Sequence, residues 1–210
     1  MRAILLCAGI GSRLMPYTKN TPKCLMKIKG REILDIWICT LINFGIKSIL
    51  INTHHHHIKI KKFIENRNYK ADIVITYEKK LLNTAGTLYK NINFFNNKEG
   101  LFIHADNLLN IKLKSFVKAH KKRPKKCLIT MLCFNTNKPK ECGIVKVDKK
   151  NIVINYFEKK DEYHGNFANG AIYILSKKFI NIIKSKKNMI NKNFTADILN
   201  AFINEIYAYK

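Results

Sequence analysis

The chain has 210 residues, of which 47% are hydrophobic, and its 39 Lys and Arg against 14 Asp and Glu give a formal net charge of +25. One α/β core can fill this length, and no apolar run approaches the roughly 20 residues that a membrane-spanning helix needs. The basic residues are spread along the whole chain, so a nucleic-acid-binding module is the weaker interpretation, and neither nucleic acid nor a membrane is an expected partner.

The six cysteines form no Cys-x-x-Cys pair, which is typical of free thiols in a reducing compartment. The apolar run at the N-terminus is too short for the core of a signal peptide. We therefore expect a cytoplasmic protein.

Apolar runs and helical patterns alternate through the first half of the chain, as is typical of βα units and a parallel sheet. A continuous apolar run at Ala3–Cys7 predicts a first strand that is covered on both faces. The next predicted elements are helix Glu32–Phe44, strand Ser48–Asn52, helix Ile58–Glu65, strand Ala71–Tyr77, helix Thr84–Phe95 with a Thr84 cap, strand Gly100–Ala105 and a basic helix near Leu113–Lys121.

In the second half, strand patterns follow one another with short, turn-rich separations, which indicates a mixed or antiparallel region. The predicted elements are strands Cys127–Phe134, Gly143–Val147, Ile152–Phe157 and Ala168–Leu175, then helices near Lys177–Lys184 and Thr195–Ile206. The whole pattern predicts an α/β protein with a Rossmann-like, mixed but mostly parallel sheet flanked by helices. Since no linker or repeat interrupts it, residues 1–210 are expected to form a single domain.

A glycine-rich turn follows the first predicted strand, with Gly9 and Gly11 one residue apart. Glycines at such a place let the backbone approach a ligand and point N–H groups at an anion. A dinucleotide-binding fold begins in the same way, but it needs a third glycine where this chain has Leu14, followed by an unbroken helix. Pro16 and Pro22 instead break the segment into an extended loop.

Two cations in this loop, Arg13 and Lys23, suit a long polyphosphate, since each can hold a different phosphate group. The segment resembles the sugar-phosphate nucleotidylyltransferases. The matching residues are Gly9-Ile10-Gly11-Ser12-Arg13-Leu14, Pro16, Thr18 and Pro22-Lys23. The resemblance implies the nucleotide-diphospho-sugar transferase fold and a loop that wraps a triphosphate. In that loop Arg13 and Lys23 would contact phosphates, Ala8 and Gly9 would lie against the base, and Gly11 and Ser12 would complete the nucleotide site.

The predicted strand at residues 101–105 ends in a carboxylate, Asp106. Ligands of open α/β sheets bind beyond the carboxyl ends of strands, and Mg²⁺ prefers carboxylate and phosphate oxygens. The family that this chain resembles has an acidic residue here, usually preceded by Gly rather than Ala105. We therefore expect Asp106 to hold Mg²⁺ and to be catalytic, with capping of the next helix as the alternative.

Further segments resemble the same family. Leu81–Thr87 resembles its base-reading turn, which makes Thr84 and Gly86 nucleotide-binding candidates, whereas simple helix capping is the other role for Thr84. Phe157-Glu158-Lys159 resembles a Glu-Lys-Pro motif in which Lys160 replaces the proline. By resemblance Glu158 would accept bonds from sugar hydroxyls, catalytic Lys159 would bind the sugar phosphate, Asn169 would contact the sugar, and Gly143 would lie against the sugar ring.

One feature of the family is missing. Its second metal carboxylate lies in an Asp-x-Gly-Thr segment near the end of the domain, whereas this sequence ends at Tyr209-Lys210. We expect a domain without the family's usual C-terminal segment. Either the chain is shortened, the metal site differs, or activity is impaired, and Asp197 is a poor substitute because its setting indicates a helix start.

The resemblance implies an Mg²⁺-dependent enzyme that transfers a nucleotidyl group from a nucleoside triphosphate, with GTP favoured, to a sugar 1-phosphate. The short mannose- or heptose-1-phosphate guanylyltransferases are the most similar group. The alternatives are a uridylyl- or cytidylyltransferase that acts on another phosphorylated metabolite, and a non-catalytic nucleotide-binding protein. The expected partners are the two substrates, and a homo-oligomer is left open.

Overall fold

The computed structural model describes residues 1–108, 111–186 and 188–210, apart from the side chain of Arg13. The chain divides into two compact units. The first consists of Met1–Leu81 and Phe102–Leu108, and the second of Leu82–Leu101 and the remainder of the chain after Leu108. The organisation of residues 1–210 as one domain stays a prediction.

The first unit is a parallel sheet with helices on it. Its elements in chain order are β1 (Arg2–Leu6), the hairpin strands β2 (Lys27–Ile28) and β3 (Arg31–Glu32), α1 (Ile33–Asn43), β4 (Ser48–Thr53), α2 (His57–Glu65), β5 (Asp72–Tyr77) and the last three residues of β6 (Gly100–His104). The strand order is β6, β1, β4, β5. Strands β1 and β4 are parallel, as are β4 and β5, with Ala3 opposite Ile49 and Ile49 opposite Ile73.

Burial explains why these segments fold as they do. Ala3, Ile4 and Leu5 are all fully buried, as expected of a strand covered on both faces. In α1 the buried residues recur at helical spacing and pack one face into the core. Gly45, with φ of 92°, ends this helix as its N–H bonds to the Ile42 carbonyl.

The second unit is a mixed α/β structure. Its elements are α3 (Asn83–Lys90), α4 (Leu113–Lys122), β7 (Ile129–Asn135), β8 (Gly143–Val147), β9 (Val153–Glu158), β10 (Phe167–Leu175), α5 (Lys177–Ser185) and β11 (Ile206–Tyr209), in addition to the start of β6. Strand β7 pairs antiparallel with β10 and parallel with β11. Strand β8 pairs antiparallel with β9 and β10. Phe179, Phe194 and Phe202 pack together under this sheet.

The structure confirms the predicted α/β class with a mixed, mostly parallel sheet and flanking helices, and most elements agree with the sequence to within two residues. The predicted helix Thr195–Ile206 is wrong. A π-helical turn at Phe194–Ile198 and a 3-10 turn at Leu199–Phe202 are followed by strand β11. The helical pattern thus gives two irregular turns instead of an α-helix, and pairing with β7 begins at Ile206. In the described ranges, every helix is too short or too polar to cross a bilayer.

Candidate functional site

The glycine-rich turn of the first unit is shaped by Gly11, whose φ of 72° is left-handed. The Thr18 hydroxyl, buried within the loop, donates a hydrogen bond of 2.8 Å to the Gly11 carbonyl. A Cβ on residue 11 would lie 2.9 Å from the Thr18 Cγ2. Both the backbone conformation and this contact therefore require glycine, and Thr18 closes the loop on itself.

Gly9 has no such packing constraint. It is exposed, and a Cβ at this position would meet no atom within 4 Å. Ser12 is also exposed, whereas Ala8 is buried at the foot of the turn. The protein's own packing thus leaves open space above Gly9, which fits a backbone that a ligand approaches closely.

A buried polar chain anchors the foot of this turn. The Cys7 N–H donates to the Asn52 Oδ1 at 2.9 Å, and the Asn52 Nδ2 donates to the Glu78 Oε1 at 2.9 Å. Both side chains are 2% exposed. Asn52 and Glu78 lie at the carboxyl ends of β4 and β5, and sequence reasoning missed them because neither stands in a recognisable motif. They connect three neighbouring strand ends and rigidify the root of the loop.

Lys23 and Asp106 form the charged centre of the first unit. Their Nζ and Oδ2 atoms are 2.7 Å apart, and the two side chains are 27% and 38% exposed. Burial alone would raise the pKa of the Asp106 carboxyl, but the hydrogen bond and charge of Lys23 outweigh it, so this pKa lies below its ordinary value. Asp106 is therefore ionised at neutral pH, and its Oδ2 already binds the Lys23 ammonium group.

The segment after β6 is held in place by α1. The Trp37 Nε1 donates a 2.7 Å hydrogen bond to the Asn107 carbonyl, and the Ala105 N–H bonds to the Leu6 carbonyl. Asp106 does not cap the next helix, since α4 begins at Leu113 after Lys112. The carboxylate thus stands on a fixed backbone at the carboxyl end of the strand.

Thr84 and Gly86 lie in α3 of the second unit, but Thr84 does not cap this helix, which corrects that part of the sequence prediction. The helix begins at Asn83 after Leu82, without a side-chain cap. The Thr84 hydroxyl instead accepts a hydrogen bond from the Phe194 N–H. A Cβ on Gly86 would lie 3.3 Å from the Ile190 Cα. Both residues therefore pack against residues 190–194, which end at the first residue of the π-helical turn.

The three sugar-site candidates Glu158, Asn169 and Gly143 come together in the second unit around a residue that the sequence did not indicate, Tyr156. The Tyr156 hydroxyl donates to the Glu158 Oε2 and accepts from the Asn169 Nδ2 at 3.4 Å. Gly143 stands opposite Glu158 in the β8–β9 pairing. A Cβ on residue 143 would be 2.0 Å from the Tyr156 hydroxyl oxygen.

Asn169 is fixed by a bulge in β10. The register against β7 shifts between Asn169 and Tyr173, and Ala171 within it has a left-handed φ of 55°. The Ala171 N–H donates to the Asn169 Oδ1 at 2.9 Å, while the Asn169 Nδ2 also donates to the Tyr173 hydroxyl at 2.7 Å. The bulge thereby turns the amide towards the tyrosine hydroxyls.

Lys159 follows Glu158 at the end of β9 in a left-handed conformation, with φ of 44°. Its Nζ is 3.6 Å from the Glu158 Oε1, and the two side chains are 46% and 31% exposed. An ion pair this exposed contributes little to stability, so the ammonium group remains available to an anionic ligand.

Within the first unit, the structure brings Lys23 and Asp106 together, and Asp106 follows β6, the neighbour of the strand β1 that leads into the turn with Gly9 and Gly11. In the second unit it joins Glu158, Lys159, Asn169 and Gly143, and it holds Thr84 and Gly86 against residues 190–194. The side chain of Arg13, which the sequence assigns to the phosphates, lies outside the described part of the structure. The roles of all these residues stay predictions.

A family model described as nucleotidyl transferase matches residues 2–210. The mannose-1-phosphate guanylyltransferase catalytic subunit beta of Drosophila melanogaster is 26% identical over 195 residues, which cover 91% of this chain and 52% of that protein. The D-glycero-alpha-D-manno-heptose 1-phosphate guanylyltransferase of Campylobacter jejuni is 29% identical over 181 residues, which cover 86% of this chain and 78% of that protein. The chain thus spans about half the length of the Drosophila relative and more than three quarters of the bacterial one.

Solved structures have the same fold. A Bacillus anthracis protein assigned as a glucose-1-phosphate thymidylyltransferase, crystallised with sucrose, superposes with a TM-score of 0.87 at 23% identity, covering 100% of this chain and 86% of that one. HddC of Yersinia pseudotuberculosis in complex with GMP-PN superposes with a TM-score of 0.82 at 20% identity, covering 99% and 89%. At these identities the likeness establishes the fold, which confirms the fold predicted from the sequence.

Proposed function

This chain belongs to the nucleotidyl transferase family, and on that basis we propose that it transfers a nucleotidyl group from a nucleoside triphosphate to a sugar 1-phosphate. GTP is the favoured donor, because the Drosophila and Campylobacter relatives are guanylyltransferases by name. The products are a nucleoside diphosphate sugar and pyrophosphate. A cytoplasmic location belongs to the same proposal and is supported by the six free cysteines.

The observation that carries the proposal is the Lys23–Asp106 pair in the unit that contains the glycine-rich turn. A 2.7 Å contact joins the last residue of the loop signature to the carboxylate beyond β6, 83 residues away in the sequence. A basic loop with no role would not need this long-range partner. The pair instead provides a cation and an anion at the carboxyl end of a parallel sheet, where α/β proteins bind their ligands.

In the proposed reaction, an oxygen of the sugar phosphate attacks the α-phosphorus of the triphosphate in line, and pyrophosphate leaves. The attacking phosphate has a second pKa of about 6, so it is largely dianionic at neutral pH and needs no strong general base. The main barrier is the repulsion between two polyanions. Lys23 would neutralise charge on the triphosphate, and Lys159 would neutralise the sugar phosphate.

The residues of the first unit fit a magnesium ion that is shared with the substrate. Asp106 is ionised and partly exposed, and no group of three or more His, Cys, Asp or Glu in the described residues is arranged to hold a metal. Mg²⁺ is often bound by one or two carboxylates with phosphate oxygens and waters. Asp106 would hold such an ion, which would supply charge neutralisation at the phosphates when bound.

Backbone N–H groups of the glycine-rich turn would provide the other contacts to the nucleotide. The αL turn at Gly11, closed by Thr18, and the Asn52–Glu78 chain beneath Cys7 fix the loop before any ligand binds. Preorganised N–H groups lose little free energy on reorganisation, so they stabilise an anion more than mobile groups would. On the sugar side, Glu158 and Asn169 offer fixed polar groups to hydroxyls.

A matrix of substrates tests the proposal. The purified chain is incubated with Mg²⁺, each of the four common nucleoside triphosphates, and mannose, heptose, glucose or galactose 1-phosphate, and pyrophosphate release is followed. We expect release that requires both substrates, with GTP and a manno-configured sugar phosphate giving the fastest rate.

Each alternative predicts a different result. Release with UTP or CTP and another phosphorylated metabolite would assign the chain to uridylyl or cytidylyl transfer. Nucleotide binding without release from any pair would indicate a non-catalytic nucleotide-binding protein. Strongly salt-dependent binding of DNA or RNA without pyrophosphate release would favour a nucleic-acid-binding module and contradict the proposal.

A further inference from the structure

The sugar-site candidates Glu158 and Asn169 belong to different strands, and one hydroxyl group joins them. The Tyr156 hydroxyl lies within hydrogen-bonding distance of the Glu158 Oε2 and at 3.4 Å from the Asn169 Nδ2. Tyr156 points to the same side of β9 as Glu158, two residues away. The Tyr156 hydroxyl can therefore fix the orientation of both the Glu158 carboxylate and the Asn169 amide.

The direction of each hydrogen bond follows from the chemistry of the groups. An amide nitrogen can only donate, so the Tyr156 oxygen accepts from Asn169 and its single proton goes to the Glu158 carboxylate. Burial, the neighbouring Tyr173 and the bond to Glu158 raise the pKa of Tyr156 well above its ordinary value, so the phenol keeps this proton. The Glu158 Oε2 thus already accepts a hydrogen bond from within the protein.

Asn169 is held in a corresponding way. Its two N–H donors face the hydroxyls of Tyr156 and Tyr173, and its Oδ1 accepts the Ala171 N–H. The amide nitrogen is saturated, whereas the amide oxygen has a second lone pair. Glu158 and Asn169 therefore both present acceptors rather than donors to a ligand.

We infer that Tyr156 is a positioning and specificity-determining residue, which orients Glu158 and Asn169 so that they select a sugar phosphate with free hydroxyl donors. This inference rests on the proposed function. It deepens that function by naming the class of acceptor: a sugar that keeps the hydroxyls facing these residues, rather than a deoxy or O-substituted one. A site that hydrogen-bonds a hydroxyl discriminates strongly against an analogue that lacks it, because its own polar groups are then left unpaired.

The position of the Tyr156 ring depends on the protein and not on a ligand. The residue is 9% exposed, and the glycine at position 143 makes room for its hydroxyl, since a Cβ there would lie 2.0 Å away. The same glycine that the resemblance assigns to the sugar ring is therefore required by Tyr156. The orienting hydrogen bonds exist before the sugar phosphate binds, which lowers the entropy cost of binding.

Tyr156→Phe removes one oxygen atom and keeps the ring, so it tests the hydroxyl alone. With the pair of substrates that is fastest for the wild type, we expect the KM for the sugar phosphate to rise roughly tenfold, whereas kcat and the KM for the nucleotide change less than about threefold. The discrimination between mannose 1-phosphate and its 2-, 3- and 4-deoxy analogues should also fall in Tyr156→Phe for at least one position. A general structural defect would move all parameters together.

A double-mutant cycle with Glu158→Ala separates positioning from packing. If the hydroxyl acts through Glu158 and Asn169, Tyr156→Phe should have a smaller effect in the Glu158→Ala background than in the wild type, and less than about a twofold effect once Asn169 is also replaced by alanine. Tyr209→Phe is the matched control, since it removes a tyrosine hydroxyl from β11 in the same unit and should leave every parameter within about twofold. Thermal unfolding of each variant checks that the protein is folded.

The outcomes distinguish this inference from the proposed function. An active wild type with an unchanged KM in Tyr156→Phe overturns the role of Tyr156 and leaves the function intact. Should the wild type be inactive with every pair, binding of mannose 1-phosphate is measured calorimetrically in both proteins. Weaker binding by Tyr156→Phe then supports the inference while the function fails, and equal or absent binding in both proteins overturns the inference.

Discussion

The two units hold their candidate ligand-binding groups by different means. In the first unit an ion pair, Lys23–Asp106, stands beside a loop whose shape depends on a left-handed glycine, Gly11. In the second unit neutral hydroxyls, those of Tyr156 and Tyr173, hold Glu158 and Asn169. The first arrangement presents charged side chains and backbone N–H groups to a ligand. The second presents hydrogen-bond acceptors that are held in fixed directions.

If the proposed function holds, the two arrangements should affect different kinetic parameters. A triphosphate carries most of the charge that the reaction must neutralise, so losses in the first unit should appear in the chemical step. A sugar ring is recognised by its hydroxyls, so losses at Tyr156, Glu158 or Asn169 should appear in sugar-phosphate binding. Variants at the Lys23–Asp106 pair should therefore change mainly kcat, and variants at the Tyr156 cluster should change mainly the KM for the sugar phosphate.

The largest effect is expected for Lys23→Ala and Asp106→Ala. Each removes half of the ion pair and should lower kcat by a factor of roughly 10² to 10³, since charge stabilisation at the transferring phosphoryl group is lost. Steady-state pyrophosphate release measures it. Lys47→Ala and Asp72→Ala are the matched controls, because both residues are exposed in the same unit and lie outside the glycine-rich loop. Near-normal turnover in either test variant would remove that residue from the mechanism.

The next effect concerns Gly143→Ala in the second unit. The new Cβ would overlap the Tyr156 hydroxyl, and displacing this buried ring should cost about 2 to 3 kcal/mol of unfolding free energy. Urea denaturation measures the change. In a Tyr156→Ala background the same substitution should cost less than about 0.5 kcal/mol, because the overlapping atoms are gone. Equal costs in the two backgrounds would show that Gly143 serves something other than Tyr156.

A smaller effect is expected for Gly11→Ala in the first unit. The left-handed backbone and the 2.9 Å approach of the Thr18 Cγ2 should together cost about 2 kcal/mol. Gly30→Ala is the control, since φ at Gly30 is 81° but no atom lies within 4 Å of the new Cβ, and it should cost about 1 kcal/mol.

Thr18→Ser sharpens this test, because serine lacks the Cγ2 but keeps the hydroxyl that bonds to the Gly11 carbonyl. Gly11→Ala should cost less in the Thr18→Ser background than in the wild type, because the 2.9 Å contact with the Thr18 Cγ2 is gone. An equal cost in the two backgrounds would show that this methyl group does not exclude a side chain at position 11.

The smallest effect has the opposite sign. Ala171→Gly removes the strain of the left-handed alanine in the β10 bulge, whereas glycine raises the conformational entropy of the unfolded chain. The net result should be a stabilisation of up to about 1 kcal/mol. Thermal unfolding measures this change. Ala168→Gly, in the regular part of the same strand, should destabilise instead by at least about 0.5 kcal/mol. Destabilisation by both substitutions would contradict the strain assigned to the bulge.

The sequence predicts the fold and the first unit well, because the determining signals are local. The buried run before Gly9, the Gly-x-Gly spacing and the prolines all lie within one short segment of the chain. The carboxylate of Asp106 is also marked by its place at the end of an apolar run. What no local pattern reveals is that Lys23 bonds to Asp106, because that contact spans 83 residues.

The second unit is less predictable from sequence, since its site depends on pairing between strands. Tyr156 is an ordinary strand residue in the sequence, and only the β8–β9 register and the β10 bulge bring its hydroxyl to Glu158 and Asn169. The end of the predicted helix Thr195–Ile206 is misplaced for the same reason. The strand Ile206–Tyr209 is only four residues long, and its pairing with β7 is not encoded in its own periodicity.

The most direct test of nucleotidyl transfer follows two labels from the triphosphate. The chain is given Mg²⁺, mannose or heptose 1-phosphate, and GTP labelled with ³²P at either the α- or the γ-phosphorus. Nucleotidyl transfer predicts that the α-label enters a nucleoside diphosphate sugar while the γ-label leaves in pyrophosphate, and that Lys23→Ala slows both transfers by the same factor. Release of the γ-label as inorganic phosphate, with the α-label left in GDP, would contradict it.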